Sequence, residues 1–353
     1  MATSIPETVT ETIPATPRLS IPAIRILGTG SYAPDNEVFN EDLAQMGFDA
    51  DWIEQRTGIL ARRHASEEQA TSDLAIAAAD KCIENAGVDP SKIDMIFVAT
   101  MTPDHYTPST ACLVQRHLGC DASAVDMNAA CSGFMYAFIS ASQFVRSGAS
   151  KMALVVGADK MSCVVDERDI KTFPLFGDGA GAALITLDDQ SQSESGNGEV
   201  PGILAYRLAS VGELSHTLVV PGGGSRKPCS EQVVACRDQF LKMEGKAVFK
   251  WAVNLIPEVV NQMAAEAGVD INEIDLFILH QANRRILDAA IEKTGIDPSR
   301  FFVNLDKYGN TSAASIPVAL DEAFEAGQIK PGNKVMLFGF GAGLSWGASV
   351  LQF

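Results

Sequence analysis

The chain has 353 residues, 46% of them hydrophobic and 20% charged, with a formal net charge of −17. That length can bury a large core, as two domains or one fused pair, and the profile is globular. The acidic balance argues against nucleic acid or an anionic membrane as a bulk partner, and no apolar run reaches the length of a membrane-spanning helix.

The first twenty residues, "MATSIPETVTETIPATPRLS", are rich in Thr, Pro and Glu and predict a disordered tail over 1–20. They carry neither the basic start nor the apolar segment of a secretory signal. The seven cysteines form no CxxC pair and no zinc-ligand spacing. A reduced, cytoplasmic compartment and no metal are therefore expected. "LGTGSYAP" (27–34) follows an apolar strand, but its GxGxxG is incomplete and Pro34 interrupts the helix that would hold a pyrophosphate. Residues 82–100, "CIENAGVDPSKIDMIFVAT", read as a helix end, a turn and a buried strand. A strand from Ala124 to Met127 then leads through "NAACSGF" (128–134) into a helix from Ser132 to Arg146. "KMALVVG" (151–157) and "FGDGAGAALITL" (176–187) follow. The second lacks the Lys-Ser/Thr of a phosphate loop, so its glycines read as backbone packing.

Past the hydrophilic "DDQSQSESGNGE" (188–199) the pattern returns. "MAAEAGVDINEIDLFILHQ" (263–281) repeats "AGVD" and "ID" 181 positions after the first copy (86 to 267, 94 to 275). "NKVMLFG" (333–339) resembles 151–157, and "GFGAGLSWGASVL" (339–351) resembles 176–187. The chain is thus an α/β protein of two related halves, 21–190 and 201–353, with a linker at 191–200. Apolar strands alternating with helices predict mostly parallel sheets covered on both faces. A pseudo-twofold between the halves would bring equivalent loops together.

Cys131 lies in one such loop, among small residues. Most cysteines are inert small hydrophobes, and the thiol of Cys131 is reactive only if its surroundings make it so. His280 ends the strand "LFILH", an ordinary place for a structural histidine. Asn310, in "YGNTSAAS" (308–315), is an ordinary cap or turn residue, yet its loop corresponds in the repeat to that of Cys131. Together the three have a chemical logic. A thiol near pKa ~8.5 is about 3% thiolate at neutral pH, and a helix start with an imidazole is expected to lower it by about 1.5 units. No Asp or Glu stands ready to orient the histidine as a base, so His280 and Asn310 read as paired donors to an oxyanion.

"ACSGF", "HQAN", "GNTSAAS", "FGDGAGAA" and "GFGAGLSWG", in this order, resemble the 3-oxoacyl-[acyl-carrier-protein] synthase III family. "RILGTGSYAPDN" and "DWIEQRTGI" extend the similarity over residues 22–353. The resemblance implies a thiolase-like fold in αβαβα layers. It also implies the start of type II fatty acid synthesis: an acyl-CoA primer condensed with malonyl-acyl carrier protein, without a cofactor. Cys131 would be the acylated nucleophile, and His280 and Asn310 would hold the enolate. The N–H groups of Cys131 and Ala342 would form the oxyanion hole, beside Phe340. Trp52 and Arg56 would contact the nucleotide end of coenzyme A, with Asn283 nearer its thiol arm. Lys250 and Arg285 would dock the carrier protein, and a homodimer is implied. Two positions depart from the family. Ile170, with Lys171 beside it, stands where many relatives have the arginine that sandwiches the adenine. Thr107 stands where acetyl-selective relatives carry phenylalanine. Polyketide, quinolone and long-chain head-to-head condensing enzymes share the same three residues and form the alternative.

Three basic stretches, "LARRHA" (Arg62, Arg63, His64), "GSRKP" (Arg226, Lys227) and "NRRI" (Arg284, Arg285), are candidate local patches, each ordinarily a solvated face.

Overall fold

The structure, a computed structural model, describes residues 19–188 and 201–353. The expected linker 191–200, and the tail apart from residues 19 and 20, lie outside these residues. Leu19 is already bound, its carbonyl accepting the Tyr206 N–H at 3.0 Å.

Two five-stranded sheets form the frame. The first runs, in spatial order, Ile24–Tyr32, Gly179–Leu187, Met152–Asp159, Met95–Ala99, Ser123–Met127. The second runs Ile21–Pro22, Gly202–Ser210, Ser345–Gln352, Lys334–Gly341, Leu276–Leu279. The short first strand thus belongs to the sheet of the second half, so the chain crosses between halves at its start.

Each half repeats the other in detail. Asp94 donates its N–H to the Met152 carbonyl, and its carboxylate accepts the N–H groups of Lys151 and Met152. Asp275 makes the same arrangement with Lys334, donating to its carbonyl at 2.8 Å and accepting its N–H at 2.8 Å. These are the two "ID" aspartates of the repeat, and each ties the start of its buried strand to the neighbouring strand.

The sheets are mixed, which corrects the expectation of mostly parallel pairing. Parallel pairs join Met95–Ala99 to both its neighbours and Leu276–Leu279 to Lys334–Gly341. The remaining pairs in both sheets are antiparallel. Lys334–Gly341 and Ser345–Gln352 are joined by a turn at Ala342–Leu344, and a connection so short permits only an antiparallel pair. Strands buried on both faces read as continuous apolar runs in either direction, so composition could not distinguish the two.

Helices Gly133–Arg146 and Ser315–Glu325 lie between the sheets, with Phe134, Phe138, Ile316 and Leu320 in the shared core. Helix Thr71–Ala86 covers the outer face of the first sheet, and helices Gly245–Ala267 and Arg284–Thr294 cover that of the second. The five layers are αβαβα, as expected. A Cβ on Gly30 would come within 2.3 Å of the Cys82 backbone nitrogen, so this glycine serves close strand–helix packing rather than phosphate binding. No described helix is long and apolar enough to cross a membrane.

Candidate active site

The pseudo-twofold brings two matching loops together between the sheets. After strand Ser123–Met127, the Asn128 side-chain oxygen accepts the Ala130 N–H at 3.2 Å. Ala130 is left-handed (φ 46°), Ala130–Ser132 form one tight turn, and the helix starts at Gly133. In the second half the Asn310 oxygen accepts the Ser312 N–H at 2.9 Å. Ser312 is left-handed (φ 52°), Ser312–Ala314 form the turn, and the helix starts at Ser315. The expected loop correspondence holds, with Asn128 the counterpart of Asn310 and Ala313 the counterpart of Cys131. Because the Asn310 oxygen is engaged, its NH₂ is the part left to meet a substrate.

The two loops differ at one decisive point. The Ala313 N–H donates to the Asp159 carboxylate at 3.1 Å. Asp159 ends its strand where the second half places Gly341. A Cβ at Gly341 would lie 2.7 Å from the Cys131 Cβ and 3.0 Å from its nitrogen, so only glycine fits. With no side chain there, the Cys131 N–H has no oxygen acceptor among the described residues, and neither has that of Ala342. A duplicated scaffold thus carries one N–H closed by a carboxylate and one left open. An open pair of N–H groups beside a thiol is what a tetrahedral oxyanion requires.

His280 ends strand Leu276–Leu279 and donates its N–H to the Phe338 carbonyl at 2.7 Å. Its ring stands edge-on to Phe340 at 5.1 Å between centroids. It is 1% exposed, and burial alone pushes its pKa down to about 3. The imidazole is therefore neutral, and its Nδ1 has no hydrogen-bond partner among the described residues. The neighbouring Gln281 organises the second loop. Its side-chain oxygen accepts the N–H groups of Asn304 and Leu305, and its amide donates to the Phe302 carbonyl. Asn310 is then bonded through its backbone to Leu175 and Gly177 of the first half.

The thiol differs from expectation. Burial pushes Cys131 up to about 12; a lowering contact from the Ser312 hydroxyl does not offset it, and the Asp159 carboxylate adds to the rise. A helix start favours the thiolate but does not make up for lost hydration. Cys131 is only 5% exposed and sits in the turn before the helix, so desolvation wins. It is held as a thiol.

A cavity of about 600 Å³ opens beside this centre. Ala130 and Ala342, which flank Cys131, are among its walls, with Met101, Met127, Leu218 and Leu241 giving it an apolar side. Phe340 is buried against His280. Thr107 is exposed and is not a wall of this cavity. Trp52 and Arg56 lie exposed on helix Ala50–Thr57. Asn283 caps helix Arg284–Thr294 through the Arg285 N–H and donates to the Arg56 carbonyl, so it joins those two helices. Ile170 and Lys171 are exposed, as are Lys250 and Arg285. The "LARRHA" stretch is not a free basic patch: Arg62 is fully buried, bonded to Asn40 and the Val38 and Pro174 carbonyls, Arg63 pairs with Glu37, and His64 is half-buried beside Asp178. Asp159, Ser312, Gln281 and Asn128 went unremarked in the sequence. Asp159 was visible as a charge ending an apolar strand, in register with a glycine of the repeat.

The fold and the paired loops are those of a thiolase-like condensing enzyme. The family description 3-oxoacyl-[acyl-carrier-protein (ACP)] synthase III matches residues 125–200, and its C-terminal counterpart matches residues 264–353. A beta-ketoacyl-[acyl-carrier-protein] synthase III of Rhodopirellula baltica is 51% identical over 343 residues, covering 95% of this chain and 99% of its own. One from Natranaerobius thermophilus is 46% identical over 331 residues, covering 93% and 99%. The crystal structure of 3-oxoacyl-[acyl-carrier-protein] synthase III from Aquifex aeolicus superposes with a TM-score of 0.83 at 40% identity, covering 94% of this chain and all of that one. The chain belongs to the 3-oxoacyl-[acyl-carrier-protein] synthase III family.

Proposed function

We propose that the family's reaction, condensation of an acyl-CoA primer with malonyl-acyl carrier protein, runs here through Cys131, His280 and Asn310. The observation that carries this reading is the pair of open N–H groups, Cys131 and Ala342, at a buried thiol. In the first half-reaction the Cys131 sulfur attacks the primer thioester, and those N–H groups hold the oxyanion until coenzyme A leaves with the thiol proton. In the second, malonyl-carrier loses CO₂. The resulting enolate oxygen is held by the neutral His280 imidazole N–H and the Asn310 NH₂. The enolate carbon then attacks the acyl-cysteine, the same N–H pair holds the new oxyanion, and Cys131 is released. The cycle uses no cofactor beyond the thioesters it consumes.

Cys131→Ala is expected to abolish acyl transfer from the primer while malonyl-carrier decarboxylation stays measurable. Asn310→Ala should do the reverse, cutting decarboxylation by about 10²–10³, the usual cost of one oxyanion donor. Condensation by the Cys131→Ala variant would overturn the assignment.

The partners follow the same reading. Trp52 and Arg56 suit the nucleotide end of coenzyme A, and exposed Lys250 and Arg285 suit an acidic carrier protein. Neither cation is in an ion pair with a described residue, and repulsion from the net charge is screened beyond about 8 Å at physiological salt. A cytoplasmic homodimer completes the proposal. Among the described residues strand Ser123–Met127 pairs only with Met95–Ala99, leaving a sheet edge on which Val125 is 43% exposed, and Phe144 of helix Gly133–Arg146 is 40% exposed. Such an edge is a template for pairing with a second copy.

A further inference from the structure

Two buried polar groups behind the nucleophile have no part in the reaction just described. Asp159 is fully buried and over-supplied with donors. One oxygen takes the Thr100 hydroxyl at 3.0 Å, the Met101 N–H at 2.8 Å, and the Thr102 N–H and hydroxyl at 3.2 and 3.0 Å. The other takes the Ala313 N–H. Burial raises the Asp159 pKa and the hydrogen bonds lower it. Five donors converging on its two oxygens are the geometry of a carboxylate, which can only accept, and we read it as the anion on that ground. Ser312 is also fully buried, and its hydroxyl reaches no acceptor in full hydrogen-bonding geometry. It nevertheless lies near enough to both the Cys131 sulfur and the Asp159 carboxylate to lower each. A buried hydroxyl without a settled partner is costly, and one kept beside a reacting group calls for a role there.

We propose that Asp159 and Ser312 are a positioning pair behind the nucleophile: the carboxylate locks the Asn310 loop through Ala313, and the Ser312 hydroxyl turns onto the Cys131 sulfur whenever that sulfur carries charge. The proposal rests on the reading of Cys131 as the acylated residue. In acylation the sulfur–acyl bond forms, the thiol proton leaves, and coenzyme A departs as a thiol bearing it. In condensation the carbon–carbon bond forms, the sulfur–acyl bond breaks, and the sulfur is expelled as a thiolate that takes up a proton from solvent water. At both moments Ser312 donates a hydrogen bond and keeps its own proton. Asp159 is the one charged group acting on Cys131 among the described residues, since His280 is neutral. With Asp159 holding five other donors, turning Ser312 away from it leaves the carboxylate satisfied.

The test is the rate at which iodoacetamide alkylates Cys131 as a function of pH, read on the Cys131 peptide by mass spectrometry. Ser312→Ala and Ser312→Gly should each slow alkylation by about tenfold, the worth of one hydrogen bond to a charged group. Glycine adopts the left-handed backbone without strain, so agreement between the two isolates the hydroxyl. Asp159→Asn should act oppositely, raising the rate and moving the profile to lower pH. Unchanged rates in both Ser312 variants, or slowing in all three, would overturn the pair. If Asp159→Asn does not fold, the two Ser312 variants decide alone. A wild-type protein that takes no labelled acyl group from acyl-CoA onto Cys131 would instead defeat the functional reading, whatever the alkylation rates.

Discussion

The imidazole of His280 is uncharged because nothing offsets its lost hydration: an aromatic ring stands against it, and among the described residues no charged group acts on it. Neutrality lets the ring donate one N–H to an enolate without competing for its proton. It also links stability to pH. The folded ring takes a proton only near about pH 3, the unfolded one near 6.5. Between these values the unfolded chain binds more protons, so stability is lost as pH falls through that window. The urea midpoint of the wild-type protein should therefore fall more steeply from about pH 7 to about pH 4 than that of His280→Asn. Parallel curves would mean that His280 is not held neutral by burial. At this scale Cys131, His280 and Asn310 were legible as candidates, because strand ends and small-residue loops mark where side chains can converge. The protonation state of Cys131 was not, because it depends on how completely distant segments close over it.

At the scale of elements, the site is made by where two equivalent strands stop. One ends in Asp159 and occupies the Ala313 N–H; the other ends in Gly341 and leaves the Cys131 N–H open. Gly341→Ala should drive a methyl group into Cys131 and displace its N–H. Overpacking of this kind costs about 1–3 kcal/mol. A misplacement of about 1 Å at a reacting group can cost about 10² in rate. Coenzyme A release from the primer should fall by that order, alongside a lowered urea midpoint. Unchanged acyl transfer would show that the Cys131 N–H does not serve the oxyanion. The repeat itself was readable from "AGVD" and "ID", since both copies need the same aspartate to tie the same pair of strands. Strand direction was not, because an apolar run buried on both faces looks alike either way.

For the whole molecule, primer length is the open specificity. Thr107 is exposed and does not line the cavity of its own chain; if this position bounds an acyl pocket, it bounds that of a second copy. A threonine there leaves more depth than a phenylalanine, and each extra buried methylene is worth about 0.8 kcal/mol, nearly fourfold in affinity. Medium-chain or branched acyl-CoA should match or exceed acetyl-CoA as primer, and Thr107→Phe should shift preference back toward acetyl. A wild-type enzyme confined to acetyl-CoA, and unmoved by the substitution, would remove Thr107 as a length determinant. The sequence by itself determined the duplication and the buried strands, which follow from local periodicity. Its short motifs carried the family resemblance that implied the five-layer architecture and singled out Cys131, His280 and Asn310 as candidates. The tertiary structure alone decided the strand directions, the burial of Arg62, the protonated thiol, and the opening of one N–H where its twin is closed. Each of these is a matter of desolvation or of contact between residues far apart in the chain, and only the folded arrangement brings them together.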